Sequence, residues 1–312
     1  MAEKIELLRL SSNVSSCLRK KKIRSRNDIN AGNLSNNDFI YGLVQHDDAY
    51  RVLAAEALAL PYAEKSRLIQ LDSVTCARYF NYRYQEQRKL WDLPGGPFKG
   101  IAIAHSYYRV AFQQRGSPHI HQLLRLSEAP VFDTVSGQNE REVCSYIGRF
   151  ITCSSTADHQ DQQRPSRSPH YLEFQYHRHT ATCGKRRTGK CRFGIPFYPM
   201  RRTRILRPLP EDTDEQERER LARVLKRING VLTDYETLHN ASFDEFLEKC
   251  EATKEYLRAV RAELRRCKVF LRRIPSDILI NPYSPKILST MRSNMDLEYV
   301  LDPCACAPYI ID

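Results

Sequence analysis

The sequence contains no apolar run approaching the length of a bilayer span, and residues 1–10 mix charges with leucine where an export signal would carry an unbroken apolar core. Membrane insertion and secretion are not expected, which places the protein inside the cell. The chain is long enough for two domains, and no internal repeat is visible. Acidic residues are in deficit: 37 Asp and Glu face 49 Lys and Arg, giving a formal charge of +12 and a pI near 9.2. Such a balance favours polyanionic partners through phosphate contacts and counterion release. With no export signal, Cys17, Cys76, Cys144, Cys153, Cys250, Cys267, Cys304 and Cys306 read as scattered reduced thiols and not as a disulfide frame.

What the chain does carry is His119-Ile120-His121. Residues 105–113 read as a strand leading up to it, and Arg115-Gly116-Ser117-Pro118 supplies the turn chemistry between the two. Side chains two apart on a strand share a face, so the imidazoles converge on a hairpin while Ile120 turns inward. Two convergent imidazoles can hold a divalent metal.

Arg115-Gly116-Ser117-Pro118-His119-Ile120-His121 resembles the signature of the Helitron helicase-like domain, the N-terminal nuclease part of rolling-circle Helitron transposon proteins. Thr75-Cys76-Ala77-Arg78-Tyr79-Phe80, His179-Thr180-Ala181-Thr182-Cys183, Cys191-Arg192-Phe193-Gly194-Ile195-Pro196, Asn281-Pro282-Tyr283, Asn294-Met295-Asp296 and Tyr299-Val300-Leu301-Asp302-Pro303 also recur in that family, in order. The resemblance covers nearly the whole chain from about Ser12 onward. It implies a HUH-type nuclease in which His119, His121 and a third polar ligand hold magnesium or manganese against the scissile phosphate of single-stranded DNA. A tyrosine then attacks phosphorus, conserving phosphodiester energy for rejoining.

The chain departs from the family at three places. Ala111 stands where the family carries a glutamate; Gln113, of the same strand parity, offers only an amide oxygen, a poorer ligand for a hard dication. An alanine-rich stretch within 52–66 stands where the family has an aromatic core strand. Tyr309 aligns with the first of the family's two tyrosines, and the chain ends at Asp312 before a second. The resemblance therefore implies strand cleavage and joining that is impaired in this copy. The ATP-driven helicase that follows in the family is absent, so no ATP requirement is expected.

A second metal candidate is His177-Arg178-His179 with Cys183 and Cys191. Thiolate and imidazole ligands suit tetrahedral zinc, and these four fill a closed structural site; the alternative is a basic loop with incidental thiols. Lys185, Arg186, Arg187, Lys190, Arg192, Arg201, Arg202, Arg204 and Arg207 follow with no acidic residue among them, beside Phe193, Phe197 and Tyr198. Lys185, Arg186, Arg187, Lys190 and Arg192, with Arg115 of the hairpin, are the candidate DNA contacts, and the aromatic faces offer stacking for unpaired bases. Gly184-Lys185-Arg186-Arg187-Thr188-Gly189-Lys190-Cys191 mimics a phosphate-binding P-loop, but no buried strand precedes it and Pro196 and Pro199 forbid the helix that should follow. It reads as a loop between metal ligands. Arg19, Lys20, Lys21, Lys22, Arg24 and Arg26 fit either a nuclear import signal or a basic arm.

These landmarks divide the chain into a shortened N-terminal region (1–66), a HUH-strand core (67–153), a linker and zinc/basic segment (154–210), a helical insertion (211–268) and a truncated tyrosine-motif region (269–312). In the insertion Leu221, Val224, Leu225, Ile228 and Leu232 form one apolar stripe; Phe243, Phe246, Leu247, Cys250, Leu257, Val260 and Leu264 form another, opened by a Ser242/Glu245 capping box. Val269-Phe270-Leu271 and Ile278-Leu279-Ile280 are expected to return as strands, followed by a turn at 281–285. The expected fold is α+β: an antiparallel HUH-type sheet with a zinc-knuckle segment and a helical insertion. The alternative function is a non-catalytic, zinc-containing nucleic-acid-binding remnant.

Overall fold

The structure is a computed structural model that describes residues 73–112, 118–156, 169–179, 183–184, 191–291 and 293–302. The chain forms two units, Met1–Glu128 with Ala305–Asp312, and Ala129–Cys304. Among the described residues, helices are mixed with two antiparallel two-stranded sheets, an α+β composition, and no helix is long and apolar enough to cross a membrane.

In the first unit, helix α1 (Ser73–Lys89) leads to the hairpin of β1 (Ile103–Phe112) and β2 (Pro118–Leu126). Arg88 and Lys89 close the last turn of α1, where cations suit the helix dipole. Tyr84 and Gln87 fall on one face and are buried, and the Tyr84 ring packs on Tyr108 of β1 at 4.9 Å between centroids. Past the helix, Trp91 meets Tyr84 and Phe98 edge-on. Gly96 is required in that turn, because a Cβ there would stand 2.1 Å from the Leu90 carbonyl oxygen. The strand expected from residue 105 is present as far as Phe112, as is the one around His119, while residues 113–117, Gln113 and Arg115 among them, lie outside the described residues.

The second unit is organised by a short sheet, β3 (Arg204–Leu206) paired with β4 (Lys268–Phe270). Period-two alternation gives each face its own core. Ile205 and Val269 meet Val143 and Ile147 of helix α2 (Glu140–Gly148), whereas Leu206 and Phe270 join the helical core. That core is built on α3 (Glu215–Val231), whose first turn is capped by the Asp214 carboxylate accepting from Glu217 N–H, and whose stripe of Leu221, Val224 and Ile228 is buried. A single turn α4 (Tyr235–Leu238) follows, then α5 (Phe243–Lys249) behind the expected Ser242/Glu245 capping box, and α6 (Tyr256–Ala262). The second apolar stripe is therefore carried by two helices. Glu251 at φ +49° breaks it, and the chain turns so that Phe246 and Tyr256 meet edge-on, 5.6 Å between centroids.

One strand expectation is corrected. Residues 278–280 are not a β-strand; Pro275 opens a 3-10 turn (Pro275–Asp277), after which Ile280 makes only an isolated bridge to Tyr176. The cause is Arg273, whose buried guanidinium donates to the carbonyls of Asp277 (2.6 Å) and Ile280 (2.7 Å) and curls this segment around itself. Beyond it, Tyr283 exchanges both backbone hydrogen bonds with Thr152, and helix α7 (Pro285–Met291) packs near the 3-10 segment Pro169–Gln175.

Candidate metal centre

The backbone brings His177, His179, Cys183 and Cys191 together from both ends of a loop. His177 follows the Tyr176 bridge and donates its N–H to the Leu279 carbonyl at 2.8 Å, anchoring the first ligand to the fold. His177 and His179 are two apart in the chain, and their rings lie side by side with centroids 4.7 Å apart. Gly184 pairs with Cys191 across an antiparallel bridge, and Arg192 N–H donates to the Cys183 carbonyl at 2.7 Å, which closes the thiols on one another. Gly184 and Cys191, the two ends of the P-loop look-alike, are the residues paired by that bridge, and residues 185–190 between them lie outside the described residues.

The donor atoms of all four residues lie within 4.8 Å of one another. The Cys183 sulfur is 3.5 Å from His179 Nδ1, and the Cys191 sulfur 3.5 Å from His177 Nε2. Bonds of about 2.3 Å to sulfur and about 2.05 Å to nitrogen, opened to the tetrahedral angle, set sulfur and nitrogen about 3.6 Å apart. These two sulfur–nitrogen edges therefore match those around a small tetrahedral ion. Burial, and then the neighbouring His179, hold the His177 imidazole below its ordinary pKa, which favours the neutral ring that a metal needs. Among the described residues this is the one grouping of three or more His, Cys, Asp and Glu donors, and it can hold a metal ion such as zinc.

The histidine pair of the hairpin has a different character. His119 and His121 present their Nε2 atoms 3.0 Å apart, so the expected convergence is present. Two nitrogens about 2.1 Å from an octahedral ion would also stand about 3.0 Å apart. The same separation serves an N–H···N hydrogen bond between two rings, one donating and one accepting. The strand register then sets what shares this face: Ala111 is directly opposite His119, and Arg109 directly opposite His121. A methyl group and a guanidinium occupy the cross-strand positions from which a carboxylate would reach the ion. Tyr309 lies outside the described residues.

The basic run is only partly available for a ligand. Arg201 pairs with Asp244, Arg204 lies 4.0 Å from Glu140, and Arg207 donates to the carbonyls of Val135 and Asp133. Arg202 is exposed, as is Arg192, whose guanidinium lies over the Phe193 ring at 4.6 Å. Of the three aromatic residues expected to stack on bases, Phe193 is exposed. Phe197 lies beneath Arg273, and Tyr198 is turned into the helical core with its hydroxyl donating to Glu263 at 2.6 Å. Tyr235, whose hydroxyl lies against His179 from 56 positions along the chain, carries no local sequence signal of that contact. No family model, no curated protein and no solved structure matches this chain.

Proposed function

We propose that this chain is a Helitron-type replication-initiator domain that binds single-stranded DNA through a zinc-closed, basic segment, and whose metal-dependent strand cleavage and joining is impaired. The observation that carries the reading is the tetrad of His177, His179, Cys183 and Cys191, whose donor atoms lie within 4.8 Å of one another. Zinc bound there cross-links the loop and leaves no open position for chemistry. Its work is to hold Arg192 and the exposed Phe193 ring in place at the end of the basic sequence 185–190, where phosphates meet cations and an unpaired base meets an aromatic face.

The impairment follows from the hairpin. A divalent ion held by His119 and His121 would withdraw charge from the phosphoryl oxygen as a tyrosine, Tyr309 by resemblance, attacks. Here Ala111 supplies no ligand and Arg109 brings a positive charge to the face that has to accept a dication. The same pairing favours a second reading, a non-catalytic nucleic-acid-binding remnant in which the imidazoles and Arg109 contact phosphate directly. Labelled single-stranded DNA incubated with protein and manganese, then run under denaturing conditions, separates the two. A slow, manganese-dependent covalent adduct lost in Tyr309→Phe supports an impaired nuclease; binding with no adduct supports the remnant; neither binding nor adduct overturns both. By the same proposal, and given the basic cluster at residues 19–26, the protein acts in the nucleus.

A further inference from the structure

The two ring nitrogens of His179 face different partners. Nδ1 lies 3.5 Å from the Cys183 sulfur, inside the tetrad. Nε2 lies 3.1 Å from the hydroxyl of Tyr235. The tyrosine ring runs nearly parallel to the imidazole, with 19° between planes and 6.3 Å between centroids. Tyr235 itself is anchored: its ring packs against the helical core, it opens the turn α4 that is capped by Asp234, and Leu238 three residues on is fully buried. The phenol is thus presented by the packed part of the fold, and the imidazole by the loop that carries the ligands.

This arrangement decides between two tautomers. A neutral imidazole offers a metal the lone pair of one nitrogen only while the other keeps its proton, and the hydrogen bond made by that second nitrogen fixes which is which. If Nε2–H donates to the phenol oxygen, the Nδ1 lone pair points into the tetrad. In the opposite tautomer Nδ1–H would point at the Cys183 sulfur and close the site to an ion. We infer that Tyr235 is the positioning residue of the metal centre: its hydroxyl accepts from His179 Nε2–H, aims Nδ1 at the ion, and ties metal loading to the helical core. The inference rests on reading the tetrad as a metal site.

The test uses the full chain and cobalt(II) as a spectroscopic probe, with zinc affinity from competition. Wild-type protein is expected to show a thiolate-to-cobalt absorption band with one equivalent bound. Tyr235→Phe keeps the ring and removes the acceptor; it is expected to bind roughly 10–100-fold more weakly, while the chelated forms of the two proteins melt alike. On a His179→Cys background, where no imidazole remains to be aimed, Tyr235→Phe is expected to change nothing. A check that needs no variant is imidazole nitrogen NMR of the zinc-loaded wild type, which should find His179 protonated at Nε2 and metal-bound at Nδ1. Equal affinity of wild type and Tyr235→Phe, or a metal on Nε2, overturns the role of Tyr235 and leaves the metal site standing. Absence of the cobalt band in wild type overturns the metal site itself.

Discussion

Stripping the metal from His177, His179, Cys183 and Cys191 removes a cross-link whose size the structure sets. The ligands span a loop from His177 to Cys191, and closing a loop of about 15 residues with a cross-link is worth about 3 kcal/mol against the unfolded chain. For a unit of roughly 150–250 residues, each kcal/mol moves the melting temperature by about 2–4 °C, so chelation is expected to lower it by about 6–12 °C. The lower end is favoured, because the bridge between Gly184 and Cys191 already closes the tip by hydrogen bonds. Calorimetric melts with and without chelator measure the shift. Cys183→Ser should melt at the lower temperature in both, since it has no closed site to lose. Identical melting of the wild type in both conditions would refute the argument that these four side chains share an ion.

Three further outcomes follow from named residues. Ala111→Glu puts a carboxylate opposite His119, within the roughly 4.5–5.5 Å of cross-strand Cβ atoms, yet Arg109 competes for it; Ala111→Glu with Arg109→Gln is expected to tighten manganese binding at least about tenfold, and Ala111→Glu alone by less. Equal affinities in calorimetry, with His119→Ala also unchanged, would show that this face does not bind manganese. Phe246→Ala empties a fully buried position between Phe243 and Tyr256, and should cost about 3–5 kcal/mol in denaturant unfolding; a loss below about 1 kcal/mol would mean the helical core is not packed as described. Burial pushes the Tyr283 phenol from its ordinary 10 up to about 12, and its hydroxyl donates to the Ser154 carbonyl at 2.8 Å. The folded state keeps that proton longer than the unfolded chain, so the contribution is full below pH 10 and is lost as pH rises towards about 12. Tyr283→Phe should flatten that part of the alkaline stability profile, and an unchanged slope would contradict the assignment.

What could be read from residue order was what local periodicity encodes. The convergence of His119 and His121 follows from strand parity alone, and the α3 stripe and the Ser242/Glu245 box follow from helical spacing. The tetrad was legible because its four ligand types stand close in sequence, although the spacing is no standard finger. Helix α1 is not legible in the sequence because its buried face includes Gln87 beside Tyr84, which blurs the apolar period. Residues 278–280 look like a strand for their isoleucines, but the buried Arg273 guanidinium claims the carbonyls of Asp277 and Ile280, a long-range polar demand that no window of sequence displays. The availability of the basic run was equally hidden. Arg201, Arg204 and Arg207 read as free cations until the fold supplies Asp244, Glu140 and the carbonyls of 133 and 135. Tyr235 reaches His179 only through tertiary structure.

Fluorescence anisotropy with a labelled single-stranded oligonucleotide, comparing zinc-loaded wild type with Cys183→Ser at several salt concentrations, tests the central claim most directly. Wild type is expected to bind with an affinity that falls linearly in log–log form as salt rises, one unit of slope for roughly each phosphate contact, and Cys183→Ser is expected to bind about tenfold or more weakly with a shallower slope, because the loop that presents its cations has lost its closure. No binding by the zinc-loaded protein at low salt, or equal binding by both proteins, would contradict a zinc-closed single-strand-binding segment.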